Sequence, residues 1–243
     1  MEQIFIGQRA LVTGAGKGIG RTIAKTLASY GAEVVALSRT QTDLISLSEE
    51  IDCQTIQADL SDAKQARDAA LSAGAIDLLV NNAGISILES FLDTSTEAFD
   101  KIMAVNVRAV LIVSQIVAKG MISRGNGGAI VNISSQSSMR AIPDHTAYCA
   151  SKGALDQLTR MMALELGPHQ IRVNSVNPTV TLTPMGKMAW SNPKKSGPML
   201  DRIPLQRFAK PSHVAEVIAF LLSERAHMIH GAILPIDGGF LIS

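Results

Sequence analysis

Tyr148 and Lys152 stand four residues apart in a stretch of helical pattern, so their side chains share one helix face. A phenol normally titrates near about 10, too high for efficient proton donation at neutral pH; an ammonium fixed beside it stabilises the phenolate and lowers that value. The pair is suited to protonate an oxygen on which negative charge develops, as in the reduction of a carbonyl. Chance alone produces Tyr-x-x-x-Lys in roughly 8% of shuffled sequences of this composition, so the pair needs company. Ser135 supplies it from the end of an apolar run, thirteen residues before Tyr148, where a hydroxyl can hydrogen-bond the same oxygen. Asn106, in Val105-Asn106-Val107, is an amide within an apolar helix; it is either a fourth member of the site or a satisfied packing amide.

A second group lies near the amino terminus, in Thr13-Gly14-Ala15-Gly16-Lys17-Gly18-Ile19-Gly20. A glycine turn after a strand and at the mouth of a helix lets backbone amides approach a pyrophosphate, and Gly14, Gly18 and Gly20 give a Gly-x-x-x-Gly-x-Gly spacing. The plain alternative is an ordinary tight turn. Dinucleotide sites for NAD often carry an acidic residue roughly 20 positions further on; Ser38-Arg39-Thr40 stands there instead. With no carboxylate to repel a phosphate, Arg39 able to bond it bidentately and Lys17 adding charge, NADPH is favoured over NADH. Asp59-Leu60 and Asn81-Asn82-Ala83-Gly84 follow two further strands, where adenine and ribose would lie; Asp59 serves equally well as a helix cap.

These residues need a sheet to position them. β-branched runs alternate with helix-length amphipathic segments throughout, with strands expected at 9–13, 33–38, 55–58, 77–81, 129–134, 172–177 and 232–235. That pattern predicts an α/β fold, a single doubly wound Rossmann-type domain over 1–243, with a seven-stranded parallel sheet and helices on both faces. Leu182 to Pro204, with four prolines and two glycines, breaks the alternation and reads as an active-site lid or a packed surface loop.

Composition narrows the classes. Lys and Arg total 22 against 21 acidic residues, which leaves no field for nucleic acid. Two cysteines, Cys53 and Cys149, make neither a disulfide framework nor a metal site and point to a reducing compartment. Met1-Glu2-Gln3-Ile4-Phe5 lacks the form of a secretory signal. The most apolar stretch, Ala109 to Ala118, is about half a membrane span and reads as a buried helix, so no transmembrane segment is expected. A chain 47% hydrophobic has apolar faces to spare for subunit contacts, and an oligomer is expected. The tail Phe240-Leu241-Ile242 either crosses such an interface or folds back on its own core.

Glycine loop, Asn-Asn-Ala-Gly, Asn, Ser and Tyr-x-x-x-Lys occur in the order that marks the short-chain dehydrogenase/reductase family, which the chain resembles along its whole length. The resemblance implies that Tyr148 protonates the substrate, Ser135 orients its carbonyl, Lys152 grips the nicotinamide ribose and Asn106 supports a water relay. It further implies that Pro178, Val180 and Thr183 reach the nicotinamide. Gly14 to Arg21, Leu37 to Gln41 and Met162 to His169 resemble a subgroup that reduces small ketoses and vicinal dicarbonyls as a cytosolic homotetramer with NADPH. Thr179 stands where glycine commonly follows the proline in the wider family, which fits that subgroup.

A polyol or ketose needs polar groups around its reacting carbonyl, for which Gln136 and His145 are the candidates, with Ile142 and Trp190 as an apolar wall. A surface histidine and a loop-anchoring tryptophan are the plain alternatives. Two other functions stay open. One is reduction of a 3-oxoacyl thioester on a carrier protein, with Lys194-Lys195 as a hint of a docking patch. The other is a non-catalytic dinucleotide sensor, against which an intact Ser135, Tyr148 and Lys152 argue.

Overall fold

Each central strand is apolar on both sides because both faces of the sheet are covered. In the computed structural model, which describes residues 3–243 and leaves aside the side chains of Met185, Ala189 and Lys195, β1 (Arg9–Thr13), β2 (Glu33–Ser38) and β4 (Leu78–Asn81) alternate between two cores. Ala10, Val12, Val34, Ala36, Leu78 and Val80 pack with Ile23 and Leu27 of α1 (Gly18–Ser29) and Val214 and Ile218 of α9 (Pro211–Leu222). Leu11, Val35, Leu37 and Leu79 turn the other way, toward Ala66 and Ala70 of α3 (Ala63–Ser72), Val113 and Val117 of α5 (Ala109–Arg124), and Met162 of α6 (Thr146–Leu166). Met1 and Glu2, and the Lys195 side chain of the Lys194-Lys195 pair, lie outside the described residues.

With β3 (Cys53–Gln57), β5 (Gly128–Ile133), β6 (Ile171–Pro178) and β7 (Ile233–Ile236), the seven strands form one parallel sheet in the order β3-β2-β1-β4-β5-β6-β7. All seven expected strands are present. The first two match to the residue, and the others shift by one or two; β3 begins earlier, at Cys53, because as an edge strand it carries the polar residues Gln54 and Thr55 on exposed positions. The chain order reverses between β1 and β4, which opens a crevice at their carboxyl ends.

The segment with four prolines holds two short helices, α7 (Pro184–Ala189) and α8 (Pro193–Leu200), and the prolines begin helices more than they break them. Pro184 and Pro193 take the first helical position, where a missing N–H leaves no bond unmade, and Thr183 and Asn192 cap the two helices. The segment packs on Ile203, Phe208 and Phe240, so the tail folds back through Phe240 while Ile242 stays exposed.

The apolar stretch at 109–118 is longer than its composition suggested. It continues from α4 (Thr96–Met103) through a single π turn, Ala104–Arg108, into α5, and the resulting helix Thr96–Arg124 is, among the described residues, long and apolar enough by length and composition to cross a membrane. Within the fold 56% of its most apolar window is buried, and Val110, Val113, Val117 and Met121 lie in the core between sheet and neighbouring helices. It is the core helix that the sequence pattern predicted, at greater length.

Candidate active site

A cleft of about 350 Å³ opens at the β1/β4 crossover. Gly14, Lys17, Ile19 and Gly20 line it from the glycine turn, Ser38, Arg39 and Thr40 from the end of β2, Asp59 and Leu60 from the end of β3, Asn82, Ala83 and Gly84 from the end of β4, and Thr183 from the start of α7. Leu37, Ala58, Ile85 and Val105 complete the wall; each adjoins a residue read from the sequence, and that adjacency is the signal that would have found them. A larger hollow, about 790 Å³, lies at the opposite end of the strands among Arg9, Lys25, Glu33 and Cys53. Its cations are already paired, Arg9 with Glu33 at 3.5 Å and Lys25 with Glu50 at 2.6 Å, and it contains none of the candidate residues.

The glycine turn is shaped for close approach. Gly14 has φ of 66°, and a Cβ placed on Gly20 would collide with the Gly14 carbonyl and the Asn82 amide. Thr13 Oγ1 accepts from the Asn82 and Ala83 amides, both at 3.0 Å, and Asn82 Nδ2 donates to Thr13 O at 2.9 Å, which ties the two loops together. Gly18 starts α1 and sits against Thr183 Cγ2.

At the end of β2, Arg39 is exposed, and its carbonyl accepts from Gln57 Nε2 at 3.2 Å. Lys17 is not a free cation: its Nζ lies 3.2 Å from Asp43 Oδ2. A carboxylate therefore does stand close to the phosphate-binding candidates, carried there by the first turn of α2 (Gln41–Ser48) rather than by the strand end. Asp59 does not cap α3; Asp62 does, accepting from Lys64 N at 2.7 Å and Gln65 N at 3.0 Å. Asp59 instead accepts from the Ser61 amide at 2.9 Å; this bond, with help from the Arg39 charge, holds its carboxyl below the ordinary range.

Tyr148, Lys152 and Ser135 do meet. Lys152 is 3% exposed; its Nζ lies 5.6 Å from the centre of the Tyr148 ring and donates to Ile133 O at 2.7 Å. Ser135 stands two residues past the end of β5, its Oγ accepts from Ser137 N at 3.2 Å, and it lies near enough to the Tyr148 phenol to favour its ionised form. The expected lowering of the phenol is not present in the free protein. Burial pushes Tyr148 above its ordinary value and outweighs the effect of Ser135. Burial also brings the Lys152 ammonium down to about 8, with Asp156 working against it. Gly84 joins this group to the cleft, since a Cβ built there would lie 3.6 Å from Lys152 Nζ.

Asn106 is fully buried in the π turn, and its amide is satisfied by the protein. Nδ2 donates to Ile85 O and Ser151 Oγ, each at 3.0 Å, and Oδ1 accepts from Ile85 N at 2.9 Å. Ser151, which no sequence motif singled out, donates in turn to Tyr148 O at 2.7 Å, so Asn106 clamps the loop after β4 to the tyrosine helix. Thr183 also serves its own helix, its hydroxyl accepting from Gly186 N at 3.0 Å. Pro178 ends β6, and Val180 leans on the cluster around Phe240.

Around the tyrosine, Gln136 is 2% exposed, and its Oε1 has no hydrogen-bond partner among the described residues. His145 precedes the first residue of α6 without a side-chain capping bond, half-buried, with its ring 6.1 Å from that of Tyr148 and Nδ1 2.6 Å from Pro143 O. Ile142 is half-buried nearby in sequence. Trp190 packs its ring on Phe208 at 5.5 Å, as a loop anchor would.

A family model described as Enoyl-(Acyl carrier protein) reductase matches residues 14–241. The chain is 58% identical over 244 residues to an L-xylulose reductase of Mesocricetus auratus, covering 100% of both, and 56% identical over 243 residues to an L-xylulose reductase of Homo sapiens, covering 99% of both. A crystal structure described as a candidate 2-deoxy-d-gluconate 3-dehydrogenase from Agrobacterium tumefaciens with bound NADP superposes with a TM-score of 0.91 at 34% identity, over 98% of each chain. The match to these relatives spans the chain from end to end, and the chain belongs to the short-chain dehydrogenase/reductase family.

Proposed function

We propose that the chain is an NADPH-dependent carbonyl reductase that converts small ketoses to polyols, L-xylulose to xylitol among them, and reduces vicinal dicarbonyls such as diacetyl. The coarser statement, an oxidoreductase acting on CH-OH/C=O, follows from its family and relatives. One observation supports the finer reading: a buried lysine on the same helix face as a half-buried tyrosine, with a buried serine close to the phenol, beside a cleft lined by the glycine turn and the strand ends.

The residues fit that cofactor. Gly14 and Gly20 of the turn line the cleft where α1 begins, a place suited to a pyrophosphate, with Gly18 as the first residue of that helix, and Arg39 offers a bidentate fork to a 2′-phosphate. When bound, the dinucleotide supplies hydride from C4 of its nicotinamide. Tyr148, a phenol protonated at neutral pH whose burial raises its pKa further, gives its proton to the carbonyl oxygen as charge grows there. Ser135 donates a hydrogen bond to the same oxygen, and the Lys152 ammonium stabilises the phenolate left behind and holds the ribose. Asn106 acts through its grip on Ile85 and Ser151. Gln136 Oε1, a buried acceptor in want of a donor, receives a substrate hydroxyl, which supports a ketose over an acyl chain. His145, whose ring lies 6.1 Å from that of Tyr148, is a second candidate for a substrate hydroxyl, with Ile142 and Trp190 as candidates for an apolar wall, and Pro178, Val180 and Thr183 are the candidates for contact with the nicotinamide.

The chain works as one domain over 1–243 in a cytosolic homotetramer. Support comes from its two free cysteines and from apolar residues left exposed on α4 to α6, Phe99, Leu111, Ile122, Met161 and Leu164. Initial rates with NADPH and NADH on L-xylulose, diacetyl and an acetoacetyl thioester test the reading. Turnover of the first two with NADPH is expected; activity on the thioester alone overturns the substrate assignment, and NADPH binding without turnover of any of them overturns the enzyme.

A further inference from the structure

A second buried ionisable group stands on the tyrosine helix. Tyr148, Lys152 and Asp156 follow one another at intervals of four along α6, and Asp156 is only 4% exposed. Its carboxylate accepts from Asn177 Nδ2 at 3.0 Å and from Ser175 Oγ at 3.3 Å, both on β6. Asn177 Nδ2 also reaches Ser138 Oγ at 2.8 Å and Ser135 O at 3.1 Å, and Ser138 Oγ donates to Ser135 O at 2.8 Å. One carboxylate thus holds the amide that holds the backbone of the serine turn.

The same carboxylate lies one helical turn from Lys152, both side chains buried; the two form no ion pair within 4 Å among the described residues, and the carboxylate's charge acts on the ammonium from that distance. Among the described residues the titratable groups acting on that ammonium are Tyr148 and Asp156, both from α6. The other elements around it contribute neutral groups: the Ile133 carbonyl of β5, the Asn106 amide of the π turn and Gly84 of the loop after β4. Burying a carboxylate is expensive, and an amide or an apolar side chain would pack between helix and sheet at lower cost. A charge kept there one turn from a buried ammonium offsets the desolvation of that ammonium.

We propose that Asp156 is a positioning residue of the reductase centre: its buried carboxylate keeps Lys152 ionised and, through Asn177, fixes the turn that carries Ser135. This rests on the reading of Tyr148 and Lys152 given above. The neutral isostere D156N separates the two effects from plain packing. The ionisation of Lys152 is followed by NMR on lysine-labelled protein with NADP+ absent, the signal being assigned by its loss in K152M. In D156N the Lys152 titration is expected about one pH unit lower than in wild type, and the alkaline fall of kcat/KM for ketone reduction moves with it. Asn177→Ala keeps the charge and cuts the link to Ser135, so kcat should fall with the Lys152 titration unmoved. An unchanged lysine titration in D156N overturns the proposal. Should D156N not fold, the carboxyl signal of Asp156 in wild type decides, and a protonated carboxyl at pH 7 overturns it. Because the titration needs no turnover, an error in the assigned reaction would show separately, as an inactive wild-type chain with the Asp156 effect intact.

Discussion

Replacing Lys152 by Met should make the protein more stable near neutral pH while removing its activity. The ammonium is 3% exposed and brought down to about 8 from an ordinary 10.5. Between those two values the unfolded chain binds more protons than the folded one, so the lysine's contribution to stability rises with pH across that window; below it the full penalty is present. The penalty is about 3 kcal/mol at pH 7 and falls below about 1 kcal/mol at pH 10. Methionine fills a similar volume without a charge to desolvate, at the loss of one bond to Ile133 O. Urea unfolding of wild type and K152M at one protein concentration, at pH 7 and pH 10, reads the difference between variants, in which other titrating groups cancel. K152M should gain on wild type by about 2 to 3 kcal/mol more at pH 7 than at pH 10. Parallel behaviour of the two proteins at both pH values would refute the view that the fold strains to hold this charge.

Three further outcomes follow from the site. Tyr148→Phe should abolish ketone reduction while NADPH binding, read by nicotinamide fluorescence, stays at wild-type strength; equal loss of both would remove the tyrosine from its role. Arg39→Ala should weaken NADPH by roughly 10- to 100-fold, the worth of charge-assisted bonds to a phosphate, and leave NADH unchanged in the same titration. Gly20→Ala places a methyl against the Gly14 carbonyl and the Asn82 amide, and should cost about 1 to 3 kcal/mol in thermal unfolding together with dinucleotide binding; a wild-type Tm would show that the turn has slack.

The strands were legible because burial on both faces writes long runs such as Leu11-Val12 and Val34-Val35-Ala36-Leu37 into the chain, and the glycine turn because only glycine tolerates its contacts. The Tyr-Lys pair is legible from helical spacing taken together with Ser135 thirteen residues earlier. Other features depended on distances that no local pattern encodes. Asp43 meets Lys17 only once α2 folds back beside the turn, and a search for an acid at the strand end passes over it. The raised phenol and lowered ammonium follow from depth of burial, which spacing does not report. The sequence leaves Asn106 as either a site member or a satisfied packing amide, because its partners, the Ile85 backbone and Ser151, come from 21 and 45 residues away. The prolines between 182 and 204 look like interruptions in the sequence because the place of Pro184 and Pro193 at the first position of α7 and α8 depends on where each helix begins.

The π turn at Ala104–Arg108, closed by Ala109 N on Ala104 O, means that the long helix contains one residue more than its own hydrogen bonding requires. A chain one residue shorter there could run as a regular α-helix, with both flanking halves keeping their phase toward the core. The surplus residue is therefore unfavourable for the helix as a helix, and selection for stability alone would trim it. What it secures is the outward step that brings the Asn106 amide to the loop after β4. Insertions and deletions elsewhere on the surface of such a fold are cheap, whereas the length of this five-residue stretch is tied to the assembly of the site.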